Sequence, residues 1–155
     1  MIYTHFFALI PFYDSYGQNA TRVILSDGTH EQLTCSVKTY IHNMLYAFHL
    51  DPKAIKFWTN AVIGTKINTP LVIDETFILL PVKFRHGVSK QDGCFGYVSL
   101  EAIKSYRDNS ITLSTGEVLP TLTRKSYLEK KAIDASLLSY KYIDYKKQFE
   151  FMRKA

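Results

Sequence analysis

Glycine, proline, cysteine and tryptophan are scarce in this 155-residue chain, which has 7 Gly, 5 Pro, 2 Cys and 1 Trp. So few Gly and Pro exclude collagen-like and low-complexity sequence, and the 46% hydrophobic fraction is enough to fill a core. Cys35 and Cys94 lie far apart and are too few to staple a fold of this size, so both read as reduced, buried thiols of a cytosolic protein. No apolar run is long enough for a bilayer, and the apolar start Phe6 to Pro11 is too short for a leader and has no basic residue before it. A cytoplasmic protein with no membrane association is therefore expected.

Chemistry is sparse too. A Walker A loop, a G-x-G-x-x-G fingerprint and a G-x-S-x-G elbow are all missing, so no cofactor is expected. His42 and His49 share a helical face, but two histidines without a third ligand hold no zinc, and no metal site is expected. Cys94, His86 and Asp92 are close enough in sequence to suggest a hydrolase. A lone Cys entering a strand is far more often a small buried hydrophobe, so no catalytic residue is expected and the chain reads as a non-enzyme.

What is abundant is aromatic and basic. Eleven Tyr and ten Phe favour strands and a dense core over a plain helical bundle. The net charge of +5 is unevenly spread: residues 1–82 hold 5 basic and 6 acidic side chains, whereas Lys83 to Ala155 hold 14 and 8. Any positive field belongs to the second half and suits phosphate.

The patterning predicts one domain over 1–155 of α+β class, with antiparallel sheets built from β-hairpins and two main helices, about 36–50 and 126–152. Tyr3 to Phe12 reads as a strand, and Thr21 to Leu25 with Thr29 to Thr34 as a hairpin about Asp27-Gly28. Ser36 caps a helix whose face is Val37, Tyr40, Ile41, Met44, Leu45 and Phe48, and Asp51-Pro52 opens a shorter one to about Ala61. Leu71 to Ile73 and Thr76 to Leu80 read as buried strands, and Lys83 to Gly93 as a basic polar loop. A strand from Cys94 to Leu100 ends near a single helical turn. Ser110 to Ser114 and Val118 to Thr123 flank a Thr115-Gly116-Glu117 turn, and a final helix follows with Ser126 as its cap.

Four ordered segments carry a family resemblance: Arg22 to Thr29, Gly64 to Asp74, Phe77 to Pro81 followed by Cys94-Phe95-Gly96-Tyr97-Val98, and Ser110 to Leu122. By their order and intervals, residues from about Ala20 to Ser139 resemble the ComK family of competence transcription factors. The resemblance implies a bacterial activator that binds A·T-rich promoter DNA as a dimer or pair of dimers, mainly through the minor groove, with bending of the duplex. RNA polymerase and a protease adaptor are the further partners it implies. Two departures stand out: Ala54 to Asn60 has lost most of the charge the family carries there, and the loop from Lys83 to Lys90 is more basic than the family's.

Because narrow A·T minor grooves attract Arg and Lys, Arg85 is the expected inserting residue, with Lys83, His86 and Lys90 on the same loop. Arg124, Lys125, Lys130 and Lys131, where the last hairpin meets the final helix, are expected phosphate contacts. The competing readings are a LytTR-like DNA-binding domain, matched by Tyr97 to Lys131 alone, and a protein-interaction module that has lost DNA binding.

Overall fold

The computed structural model describes residues 3–64, 67–89 and 92–154. The order is β1 (Phe6–Tyr13), β2 (Asn19–Leu25), β3 (His30–Leu33), α1 (Val37–Ala47), α2 (Pro52–Ile63), β4 (Leu71–Asp74), β5 (Phe77–Lys83) and β6 (Phe95–Ser99). A 3₁₀ turn (Leu100–Ala102), β7 (Ile103–Arg107), β8 (Ser110–Leu113), β9 (Val118–Pro120) and α3 (Lys125–Lys154) complete it. The class is α+β with antiparallel sheets, as the patterning predicts.

Local chemistry sets the boundaries. Asp27 accepts from the Thr29 amide and hydroxyl, and Gly28 takes the positive φ of 88° that closes the β2–β3 turn. Ser36 accepts from the Thr39 amide at the start of α1. Asp51 does the same for Lys53 ahead of Pro52, and Gly64 in the left-handed region stops α2.

The main sheet has the order β3-β2-β1-β6-β5-β4, two sequential meanders joined edge to edge. The join is narrow, with only Ala8 opposite Val98 and Leu9 opposite Tyr97. Pro11, two residues further along β1, has no N–H to extend it. Gly96 is required there: a Cβ at that position would stand 2.0 Å from the Leu9 carbonyl oxygen.

Both faces of this sheet are covered, which is why β5 reads as an unbroken apolar run, buried from Phe77 to Val82. One face carries Phe6, Leu9, Val23, Phe77 and Leu79 against Tyr40, Ile41, Met44 and Leu45 of α1. The other carries Ala8, Ile24, Ile78, Leu80 and Val98 against Ile111, Leu113 and Leu119 of the small sheet, order β7-β8-β9, and Leu128, Ala135 and Leu138 of α3. Trp58, Val62 and Ile63 of α2 pack on that second cluster, and Trp58 meets Tyr142 of α3 edge-on.

Three features differ from the sequence reading. β5 continues through Pro81 to Lys83, beyond the end of β4, where its strand partner is β6. Ile103–Arg107 is a strand, β7, although its exposed positions are polar. α3 begins at Lys125, and its cap is Asp108, which accepts from the Lys125 amide at 2.7 Å, rather than Ser126.

Candidate nucleic-acid interface

The small sheet has one buried and one open face. Along β9 and its exit, Leu119, Thr121 and Thr123 are 3–5% exposed, whereas Val118, Pro120, Leu122 and Arg124 between them face outward. Register extends that outer row across the sheet, Pro120 opposite Ser110 and Ser110 opposite Arg107, with Thr112 between Val118 and Ser105. Lys104, exposed at the β7 bulge, adds a third cation beside Arg107 and Arg124.

The exit from β9 is held by its main chain. The Leu122 amide donates to Lys83 O at 2.8 Å, and Thr123 Oγ1 accepts from the Lys83 amide at 3.0 Å. Asn109, itself in the left-handed region at φ 62°, donates to Thr123 O and accepts from the Thr121 amide. These bonds bring the end of β5, the β7–β8 turn and the start of α3 together. Lys83 and Arg124 consequently line one notch of about 240 Å³ with Phe95, Leu122 and Tyr127.

The expected contact residues therefore divide. Lys83 and Arg124 come together at the notch, Lys125 follows at the start of α3, and Lys130 is exposed further along that helix. Lys125 has a loose partner in Glu129 at 3.9 Å, both well exposed, which leaves its charge available. Lys131 is 4% exposed, with its ammonium over the Tyr127 ring and burial holding its pKa below the usual lysine value. Only a small part of this side chain is open to a phosphate. Lys90 lies outside the described residues.

Arg85 is a second departure from expectation. Its Nε donates to Gly93 O at 2.8 Å, its Nη2 to Asn19 Oδ1, and its guanidinium lies 4.1 Å from the Tyr13 ring centroid. Asp92 anchors the same cluster: it accepts from Tyr13 Oη, from Asn19 Nδ2 at 2.8 Å and from the Ser89 amide, and these bonds hold its carboxyl well below the usual range. Arg85 thus fastens its own loop to the β1–β2 end of the sheet instead of reaching outward, while His86 beside it is exposed. The cluster also bears on Cys94, whose thiol meets the Asp92 main-chain carbonyl at 3.7 Å while the Asp92 carboxylate is occupied by Tyr13 and Asn19. Among the described residues no group of three His, Cys, Asp or Glu side chains is placed to hold a metal ion.

Lys104 and Arg107 escaped the sequence reading. Their signal was present in Ile103-Lys104-Ser105-Tyr106-Arg107 ahead of Asp108-Asn109, a short polar strand entering a turn. Among the described residues no helix is long and apolar enough to cross a membrane. No protein-family model, curated protein or solved structure matches this chain.

Proposed function

We propose that this chain is a DNA-binding transcriptional regulator of the bacterial cytoplasm, similar to the ComK activators, that docks on A·T-rich duplex through the open face of the small sheet. One observation carries the reading: Lys83, Arg107, Arg124 and Lys125 surround a single exposed face fixed by main-chain hydrogen bonds. Cations on such a face attract phosphates, and phosphate contacts position a protein on the duplex without reading sequence. Preference for A·T tracts and for the minor groove comes from the resemblance. An open sheet face with the apolar row Val118, Pro120 and Leu122 between cations is compatible with such docking. The distal part of α3, where Tyr145, Phe149 and Met152 are exposed, is the surface we assign to a second copy.

Fluorescence anisotropy with two labelled duplexes, one of spaced A- and T-tracts and one G·C-rich, tests this across a salt series. Tighter A·T binding that survives moderate salt is the expected result. Equal and steeply salt-sensitive binding to both duplexes reduces the reading to a generic basic surface. No binding at low salt overturns it in favour of a protein-interaction module.

A further inference from the structure

α1 packs on the face of the main sheet opposite the small sheet, so α1 and its turn into α2 lie across the sheet from the proposed docking face. Two large aromatic side chains stand out there almost fully exposed, Tyr46 at 81% and Phe57 at 79%. Each belongs to a row of exposed positions one helical turn apart: Lys38, His42 and Tyr46 on α1, and Lys53 and Phe57 on α2. Where one row ends and the other begins, Tyr46, His49, Leu50 and Asp51 line a hollow of about 430 Å³.

The turn itself carries strain. The His49 amide donates to Tyr46 O at 3.1 Å and the Leu50 amide to Leu45 O at 2.9 Å, the two bonds of a Schellman ending. That ending needs a left-handed residue between Phe48 and Leu50, a place usually held by Gly, and here it is His49 at φ 59°. α2 stops in the same conformation on Gly64, at φ 70°. A histidine in a glycine's conformation, on the wall of a hollow, points to a role for its ring.

The charge of this surface is one-sided. Residues 36–64 hold Lys38, Lys53 and Lys56 against Asp51 alone, and Asp51 accepts from the Lys53 amide as the cap of α2. None of the three lysines has an ion-pair partner among the described residues. The stretch holds no Arg, the side chain that grips phosphate with two parallel bonds. Exposed aromatics beside a concavity are instead what the centre of a protein–protein contact is made of.

We propose that this surface docks a short acidic segment of another protein. An apolar side chain of the segment sits in the hollow against Tyr46, His49 and Leu50, its carboxylates face Lys38, Lys53 and Lys56, and Phe57 is covered. The assignment does not rest on the DNA reading, and a partner seated here leaves the small-sheet face free.

Three fluorescein-labelled probes test it by anisotropy on the full chain at moderate salt: a short peptide mixing Glu with Leu and Phe, its counterpart with Lys in place of Glu, and oligoglutamate. Saturable binding is expected for the first alone, with amide shift changes in NMR spectra centred on Tyr46, His49 and Phe57. Tyr46→Ser and Phe57→Ser, both at exposed positions, should each weaken binding about tenfold with the circular dichroism spectrum retained. His49→Gly should weaken it about threefold or more without lowering Tm, a pattern that a histidine with only a structural role does not produce. Absence of saturable binding, equal binding of oligoglutamate, unchanged affinity in His49→Gly, or shifts confined to Lys83, Arg107 and Arg124 overturns the proposal. Displacement of the peptide from this surface by duplex DNA also overturns it, in favour of a second nucleic-acid contact.

Discussion

Tyr13 and Asp92, 79 residues apart in sequence, are joined by a 2.5 Å hydrogen bond in which the phenol donates to the carboxylate. The same phenol oxygen accepts from the Val88 amide at 2.8 Å, so one side chain ties Val88 and Asp92 of the loop between β5 and β6. The bond favours the charged carboxylate and lowers the Asp92 pKa from its ordinary value of 3.8. A group whose folded pKa is depressed contributes stability that is present above the ordinary value and is lost as pH falls through the folded one. Thermal unfolding followed from pH 5 to pH 2 should therefore show a falling Tm in the wild type. Tyr13→Phe should start lower at pH 7, by roughly 2–4 °C, and fall less over that window. An identical slope in both proteins would remove Asp92 as the cause.

Arg85 and Arg107 should separate by salt dependence. Arg107→Ala removes an exposed cation from the proposed docking face and should reduce the slope of log K against log salt by about 1. Arg85→Ala should leave that slope unchanged and lower Tm instead, because its guanidinium bonds Asn19 and Gly93. Anisotropy over a salt series with parallel melting curves measures both.

Lys131→Met should melt at or above the wild-type temperature, by up to about 1 kcal/mol of added stability, and bind duplex as tightly. A lysine that is 4% exposed, with its pKa lowered by burial, has a desolvation cost that a thioether of similar length does not. Loss of DNA affinity in a variant of normal stability would return Lys131 to the contact set.

Gly96→Ala should destabilise by upwards of about 3 kcal/mol, since the new methyl meets the Leu9 carbonyl oxygen at 2.0 Å and the Phe84 ring at 2.9 Å. Gly93→Ala, where a Cβ finds nothing within 4 Å, should lie within about 0.5 kcal/mol of wild type. Chemical denaturation of the two variants side by side provides the comparison.

The elements that were legible in the sequence are those whose chemistry is local. Asp27-Gly28, Ser36 and Asp51-Pro52 each act on amides within three residues, so the first hairpin and the starts of α1 and α2 could be read directly. What escaped depends on distant partners. Asp108 caps α3 from 17 residues upstream, and nothing near Lys125 announces it. Arg85 looked like a free cation because its partner Asn19 is 66 residues away. Lys131 sits among other lysines on a helix whose faces can be counted from sequence, but which face meets the sheet is decided by Leu128, Ala135 and Leu138. β7 was hidden because one side of it is solvated and polar, so it lacks the apolar run that marks β5.

The narrow join between the two meanders of the main sheet has a kinetic meaning. Residues 6–33 and 71–99 each form three neighbouring strands in chain order, contacts that close short loops and cost little entropy. Pairing Leu9 with Tyr97 instead closes most of the chain at once and is supported at only two positions. On loop-closure grounds the two halves are expected to assemble before the join between them closes. The same line is flanked by a proline that cannot donate and a glycine that cannot be enlarged.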